Sequence, residues 1–274
     1  MTITSRRNPI VARFRAAAGA DAVGLLLLDG AHVIAEAIEA GIHVREAAVV
    51  AVTAETPRSA VTDLADRLRQ LEVPVTTASA SVMSALSPLR SASPIVALAD
   101  RPAASEARVY RGASLALIAI DVQDPGNVGA IVRVAEASGA SGVVCAGACA
   151  NPFGWKALRG SMGSALRLPI LVRPKSGVAI EEAHRHGYRI VATVPRGGRS
   201  LFDADLSGSI AVLIGGEGQG LTPSQIEAAD ERVTIPMQSP VESLNAAVTA
   251  ALVVYEASRQ KKLHHGGHGE RFSP

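Results

Sequence analysis

Along most of the chain, apolar runs of strand length alternate with segments whose apolar positions recur every three or four residues. Val-Gly-Leu-Leu-Leu-Leu at 23–28 predicts a buried strand, and Asp29-Gly30 turns it into a helix from about Ala31. Val33, Ile34, Ala37 and Ile38 have helical spacing, and Gly41 suits the residue just past the helix end. Val44–Val52 predicts a second strand, and Thr62–Gln70 an amphipathic helix with Leu64 and Leu68 four apart. Val73–Val75 predicts a short strand, Ser81–Ser87 a helical turn or two, and Ile95–Leu98 a further strand. This alternation implies a small α/β layer. Asp100-Arg101-Pro102-Ala-Ala-Ser-Glu reads as a linker.

From Leu115 the pattern restarts. Leu115–Ile120, Val143–Cys145, Tyr188–Val194, Ile210–Ile214 and Arg232–Ile235 predict strands. Gly129–Ser138, Ile180–His186 and Asn245–Arg259 predict helices, the last with Val248, Ala251, Leu252 and Tyr255 on one face. Apolar strands separated by helices imply a parallel sheet covered on both faces. Ligands of such sheets sit at the carboxyl ends of the strands.

Composition narrows this picture. The 274 residues suit two modest domains, and 48% hydrophobic with 3% aromatic residues implies a core of Ala, Val, Leu and Ile. No apolar run approaches the ~18–20 residues that span a bilayer, so no membrane role is expected. Met1–Arg7 leads into no apolar segment of the kind a secretory signal carries, which points to the cytoplasm. Cys145 and Cys149 are too few for a disulfide framework or a zinc site and read as reduced thiols. A net charge of +2 does not announce a nucleic-acid binder. Arg6, Arg7, Arg13 and Arg15 form a local cluster, either a solvated face or an RNA contact. The tail after Gln260, with His264, His265 and His268, reads as disordered.

Three segments at expected strand ends carry the chemistry. They are Asn127-Val-Gly129-Ala-Ile131-Val-Arg133, Ile214-Gly-Gly-Glu217-Gly-Gln-Gly-Leu221, and Ile235-Pro-Met237 running into Ser243-Leu244-Asn245. Glycines let a main chain approach a ligand closely. The order Gly215-Gly216-Glu217-Gly218-Gln219-Gly220 is not Gly-x-Gly-x-x-Gly, and Glu217 would face a pyrophosphate. That disfavours a dinucleotide and leaves an adenosine-containing ligand without phosphates. By itself Arg133 reads as a surface arginine pairing with Glu136. Lys156, Arg159 and Ser161, in a Gly-bounded stretch, offer two cations and a hydroxyl suited to a phosphate, or simply cap a helix. Phe153 and Trp155 could stack on bases or be buried.

Together and in this order, the three segments resemble the signature motifs of the SpoU (TrmH-type) RNA 2′-O-ribose methyltransferases. These belong to the knotted SPOUT superfamily and use S-adenosylmethionine. The resemblance covers roughly residues 115–258. Leu28-Asp29-Gly30-Ala-His32 through Gly41 resembles the opening of an L30e-like substrate-binding domain, in which the family commonly has Glu-Gly and a basic residue where Asp29 and His32 stand. The resemblance implies an α/β protein in two parts. Residues 1–104 would form a smaller L30e-like RNA-binding domain. Residues 105–274 would form a trefoil-knotted parallel-sheet catalytic domain, with 260–274 its disordered tail. It also implies a homodimer packed through the terminal helix.

By the same resemblance, Thr193, Ile214, Gly215, Gly216, Glu217, Ile235, Met237, Ser243 and Leu244 would hold S-adenosylmethionine. Arg133 would activate the ribose 2′-hydroxyl, with Asn127, Glu217, Ser243 and Asn245 completing the catalytic set. Arg6, Arg7, Arg13, Arg15, His32, Lys156, Arg159 and Ser161 would touch RNA. The implied reaction is 2′-O-ribose methylation of structured RNA, with 23S rRNA preferred. A tRNA 2′-O-methyltransferase and a non-catalytic RNA-binding protein are the alternatives.

Overall fold

The computed structural model describes residues 2–19, 24–51, 59–112 and 114–265, with side chains as far as 261. Val23, Val52 and the chain from 266 onward, His268 included, lie outside the described residues, as do the side chains of His264 and His265. The chain divides into two compact units. One comprises Met1–Ala103 with Phe153–Arg167, the other Ala104–Pro152 with Leu168–Pro274.

The first unit contains β1 (Thr2–Ile3), α1 (Pro9–Ala18), β2 (Leu25–Asp29), α2 (Ala31–Glu39), β3 (Val44–Val50), α3 (Ala60–Gln70), β4 (Val75–Ala78), α4 (Ala80–Leu86) and β5 (Ile95–Asp100). Its sheet has the order β1-β4-β3-β5-β2. β5 runs antiparallel to both β3 and β2, whereas β4 is parallel to β1 and β3. Helix α1 occupies the region of the arginine cluster. Asn8 caps its first turn through Ile10 N at 3.1 Å, and Ile10, Val11 and Phe14 are buried against the sheet's core. The arginines lie on its outer side and just before it.

The second unit begins with α5 (Glu106–Val109), β6 (Leu115–Ile120), α6 (Pro125–Ala137) and β7 (Gly142–Ala146). The chain then passes through α7 (Trp155–Ser161) and α8 (Ser164–Arg167), which pack with the first unit, α7 against β2. It continues through β8 (Ile170–Arg173), α9 (Ser176–Arg185), β9 (Arg189–Thr193), β10 (Arg199–Ser200), β11 (Ile210–Gly215), α10 (Pro223–Glu227), β12 (Glu231–Thr234) and α11 (Ala246–His265). The sheet order is β10-β12-β9-β11-β6-β7-β8, and every pairing is parallel.

Strands β6, β7 and β11, and Ile190–Ala192 of β9, are apolar on both faces because helices cover both. Helix α11 lies against α6 and β11, burying Ala246, Ala250, Val253, Val254 and Ala257. Its backbone is helical through His265, so the stretch 260–265 is part of a helix. Among the described residues no helix is long and apolar enough to cross a membrane.

Candidate functional site

The second and third sequence segments meet at the carboxyl ends of β9, β11 and β12, where they enclose a cavity of 540 Å³. Thr193, Ile214, Gly215, Gly216, Glu217, Ile235, Met237, Ser243 and Leu244 all line it, together with Asn245. The volume falls in the range of about 300–1,000 Å³ usual for small-molecule sites. No lysine, arginine or histidine is among its lining residues, and its single acid is Glu217. A polyphosphate would find no cation there. An uncharged heterocycle with a cationic centre fits the donor set better.

Glycine is required in the loop after β11 because main chains touch there. A Cβ on Gly215 would stand 2.6 Å from Gly220 C and Leu221 N, and one on Gly216 would stand 2.5 Å from the Asp121 carbonyl carbon. The small side chains thus serve loop against loop, beyond any approach to a ligand. Gly216 and Gly220 close the loop with an isolated bridge. Thr193 Oγ1 donates to Leu213 O at 2.8 Å and fixes the end of β9 to β11 at the cavity.

One chain of side-chain hydrogen bonds joins the three segments. Asn127 Nδ2 donates to Glu217 Oε1, and the other Glu217 oxygen accepts from Gln123 N at 3.3 Å. Asn127 Oδ1 accepts from Asn245 Nδ2 at 3.0 Å. Asn245 Oδ1 in turn accepts from Ala247 N at 2.8 Å and from Val248 N at 3.3 Å, capping α11. Asp124 caps α6 by accepting from Asn127 N at 2.9 Å. The Glu217 carboxylate therefore lies at the positive end of the α6 dipole, a favourable place for an anion. The Asn127 amide is bonded at both ends, to Glu217 and to Asn245.

Arg133 is exposed on α6 and lies outside the cavity lining. Cys145 is buried and Cys149 half-buried, both as free thiols. Cys149 Sγ accepts from Val122 N at 3.3 Å, and a hydrogen bond with Cys145 draws its thiol below the usual range.

The expected RNA-facing residues divide. Arg7 is exposed, but Arg13 forms a two-pronged ion pair with Glu46 at 2.7 Å, which neutralises part of the cluster. Arg6 Nε donates to Ser81 O at 2.9 Å and Arg15 Nε to Ala85 O at 3.2 Å, so the first ties the segment before α1, and the second α1 itself, to α4. His32, Lys156 and Arg159 are exposed. Ser161 is fully buried, donating to Leu158 O at 2.8 Å and accepting from Ala165 N. Burial removes it from the RNA-facing set, and its hydroxyl stabilises the α7–α8 turn instead. Phe153 is buried beneath the Arg101 guanidinium, 4.0 Å from the ring centroid.

The profile of the SpoU rRNA Methylase family matches residues 114–255, which is more than half of the chain. The chain belongs to the SpoU rRNA methylase family. An uncharacterized tRNA/rRNA methyltransferase of Synechocystis sp. is 33% identical over 267 residues, covering 95% of this chain and 94% of the relative. The 23S rRNA (uridine(2479)-2′-O)-methyltransferase of Streptomyces viridochromogenes is 35% identical over 173 residues, 61% of this chain and 60% of that one. Among solved structures, the SpoU methyltransferase AviRb of the same organism, in complex with AdoMet, superposes with a TM-score of 0.83. It is 29% identical, and the match covers 96% of this chain and 100% of that one. Within this SpoU chain the family match spans the whole cavity, helix α6 and the first half of α11.

Proposed function

We propose that this SpoU protein transfers a methyl group from S-adenosylmethionine to a ribose 2′-oxygen of ribosomal RNA. The observation that carries the reading is the cation-free cavity lined by two of the motif segments and joined to the first by the Glu217–Asn127–Asn245 bonds. S-adenosylmethionine would be held there by Thr193, the Gly215–Glu217 loop, Ile235, Met237, Ser243 and Leu244, and when bound it supplies an electrophilic methyl on a sulfonium. The glycine loop and the Ile235–Met237 turn give main-chain groups that hold the donor and exclude water from its face. Glu217 supplies the negative charge that a sulfonium-bearing ligand prefers nearby.

Arg133 acts on the RNA side. A guanidinium keeps its proton at any physiological pH, with a pKa above ~12, so it does not serve as the base. It stabilises the negative charge that develops on the 2′-oxygen and clamps the adjoining phosphate, while the proton leaves to solvent. Its place outside the cavity suits a residue that meets the acceptor nucleotide rather than the donor.

The same reading includes a trefoil-knotted second unit, an L30e-like role in RNA binding for residues 1–104, and work in the cytoplasm, where ribosomal RNA is modified. It also includes a homodimer. Val248, Leu252 and Tyr255 on α11 are 47%, 43% and 52% exposed, forming an apolar stripe that a second copy would cover. His32, Lys156, Arg159 and the arginines before and on α1 are the proposed phosphate contacts.

The test is methylation of total ribosomal and transfer RNA with labelled S-adenosylmethionine, followed by alkaline hydrolysis. A 2′-O-methyl group protects its phosphodiester, so label in an alkali-resistant dinucleotide from 23S rRNA is the expected result. Label in alkali-sensitive mononucleotides would mean base methylation and would overturn the reading. Label confined to tRNA would move the substrate.

A further inference from the structure

The first unit holds a second cavity, of 330 Å³, between the start of α2 and helix α7. Leu27, Leu89 and Leu158 give it apolar walls, and Trp155, the chain's single tryptophan, gives it an aromatic one. Asp29, at the end of β2, also lines it. Asp29 Oδ2 accepts from the Ser87 hydroxyl at 2.7 Å, but Oδ1 is buried and has no hydrogen-bond partner. A buried acceptor without a donor is costly, so the site lacks an N–H or O–H. Donors stand beside it. Gly30 gives α2 no side-chain cap, which leaves the first-turn N–H groups of Ala31, His32 and Val33 without a side-chain acceptor. The Ser93 hydroxyl lines the same cavity.

We propose that this cavity receives one unpaired guanine of the RNA substrate, stacked on Trp155, with Asp29 Oδ1 accepting from its N1–H and N2–H₂ edge. The inference rests on the RNA-methyltransferase reading above and names a subsite distinct from the nucleotide that is methylated. An aromatic wall fits the flat face of a base, since single-stranded RNA is commonly read by stacking and by its Watson–Crick edge. Guanine places two adjacent donors next to a carbonyl oxygen. The lining offers one unmet acceptor next to several donors, which is the complementary order. The occupant belongs to a strand rather than to a free nucleotide pool, because exposed cations continue outside the cavity. Arg159 lines it, and Lys156 Nζ lies 5.5 Å from the Trp155 ring centroid, both placed for backbone phosphates.

Trp155 reports on the site directly. The full chain is titrated with single-stranded oligouridylates carrying one central guanosine, inosine, adenosine or no replacement, and intrinsic tryptophan fluorescence is followed. The expected result is quenching by the guanosine strand with affinity about fivefold or more above the inosine and adenosine strands, the lower end of single-base discrimination. Asp29→Asn should abolish the guanosine-over-inosine preference while leaving S-adenosylmethionine affinity unchanged. Should Asp29→Asn unfold the first unit, Trp155→Ala read by anisotropy of labelled strands should show the same loss of preference. Equal quenching by all four strands would overturn the proposal. So would a guanosine preference that survives in both variants, or guanosine monophosphate competing as well as the strand. Strand binding without any change at Trp155 would remove this subsite alone, whereas absence of RNA binding by a chain that still binds S-adenosylmethionine would remove the RNA reading as well.

Discussion

Asn245 Nδ2 donates to Asn127 Oδ1 at 3.0 Å, joining the start of α11 to the start of α6 across 118 positions of sequence. The bond has a partner on each side. Asn127 donates onward to Glu217, and Asn245 caps α11 with its own oxygen. The cavity walls are therefore held in register by neutral amides and one carboxylate.

Replacing Asn127 with Asp puts a second carboxylate against Glu217 and removes the donor it used. The expected cost is about 1–3 kcal/mol of stability, the range for leaving a polar group unpaired, with weaker S-adenosylmethionine binding. Adding Glu217→Gln should restore much of both, since one charge and a donor return. Thermal melts and calorimetry of the two single variants and the double variant measure the coupling. Additive losses would show that the two side chains do not act together.

Gly216→Ala should weaken donor binding by tenfold or more in calorimetry, because the new methyl would meet the Asp121 main chain and displace one wall of the cavity. Gly177→Ala in α9 is the matched control. Nothing lies within 4 Å of its Cβ position, so it should leave binding intact and stabilise the helix by up to ~1 kcal/mol. Equal effects of the two would mean the loop contact is dispensable.

Much of the second unit was legible because a strand buried on both faces must be apolar throughout. The run Leu115–Ile120 is β6 to the residue, and the glycine loop follows β11 as its composition suggests. Helix α6 begins at Pro125, four residues before its apolar pattern. The signal was present in Asp124-Pro125, a cap followed by proline at the first helical position. Helix α1 was hidden because only Ile10, Val11 and Phe14 are buried in it and the arginines dominate its pattern. The packing of Phe153–Arg167 with the first unit had no local trace, since its partner β2 lies more than a hundred residues earlier. The cavity's glycine and apolar residues could be named in advance, but the bonds of Asn127 could not. They link groups 90 and 118 positions apart, and no periodicity encodes that.

Arg133→Ala should abolish ribose methylation while S-adenosylmethionine affinity stays within a few-fold of the unaltered chain, because the side chain lies outside the donor cavity. Arg133→Lys should recover little. An ammonium keeps the charge but lacks the planar fork that engages a phosphate and an alkoxide together. Single-turnover rates with saturating donor separate the two effects. Methylation by Arg133→Ala near the unaltered rate would remove this residue from the mechanism.

Cys149 should be the thiol that alkylates first. It is half-buried where Cys145 is buried, and its hydrogen bond with Cys145 favours the thiolate. Thiolates are the reactive form, so modification by iodoacetamide should persist at pH values below the ordinary thiol range. Mass mapping after brief exposure should find the label at Cys149, with Cys145 protected until the chain is denatured. Preferential labelling of Cys145 would reverse the assignment.

The exposed stripe of α11 carries the last prediction. Val248, Leu252 and Tyr255 stand one helical turn apart, on the side of α11 away from the buried Ala250, Val253, Val254 and Ala257. Apolar side chains so arranged gain by meeting a like surface, whereas an isolated exposed leucine would need no partner. A glutamate at the centre of the stripe would bury two like charges across a two-fold axis, which the association could not tolerate. Leu252→Glu should therefore sediment as a monomer at concentrations where the unaltered chain is a dimer. Its melting temperature should change little in dilute solution if each copy folds alone, because residue 252 is already 43% exposed. Sedimentation equilibrium of both proteins decides the matter. An unaltered chain that is monomeric at micromolar concentration, or a Leu252→Glu variant that dimerises equally well, would place the subunit contact elsewhere.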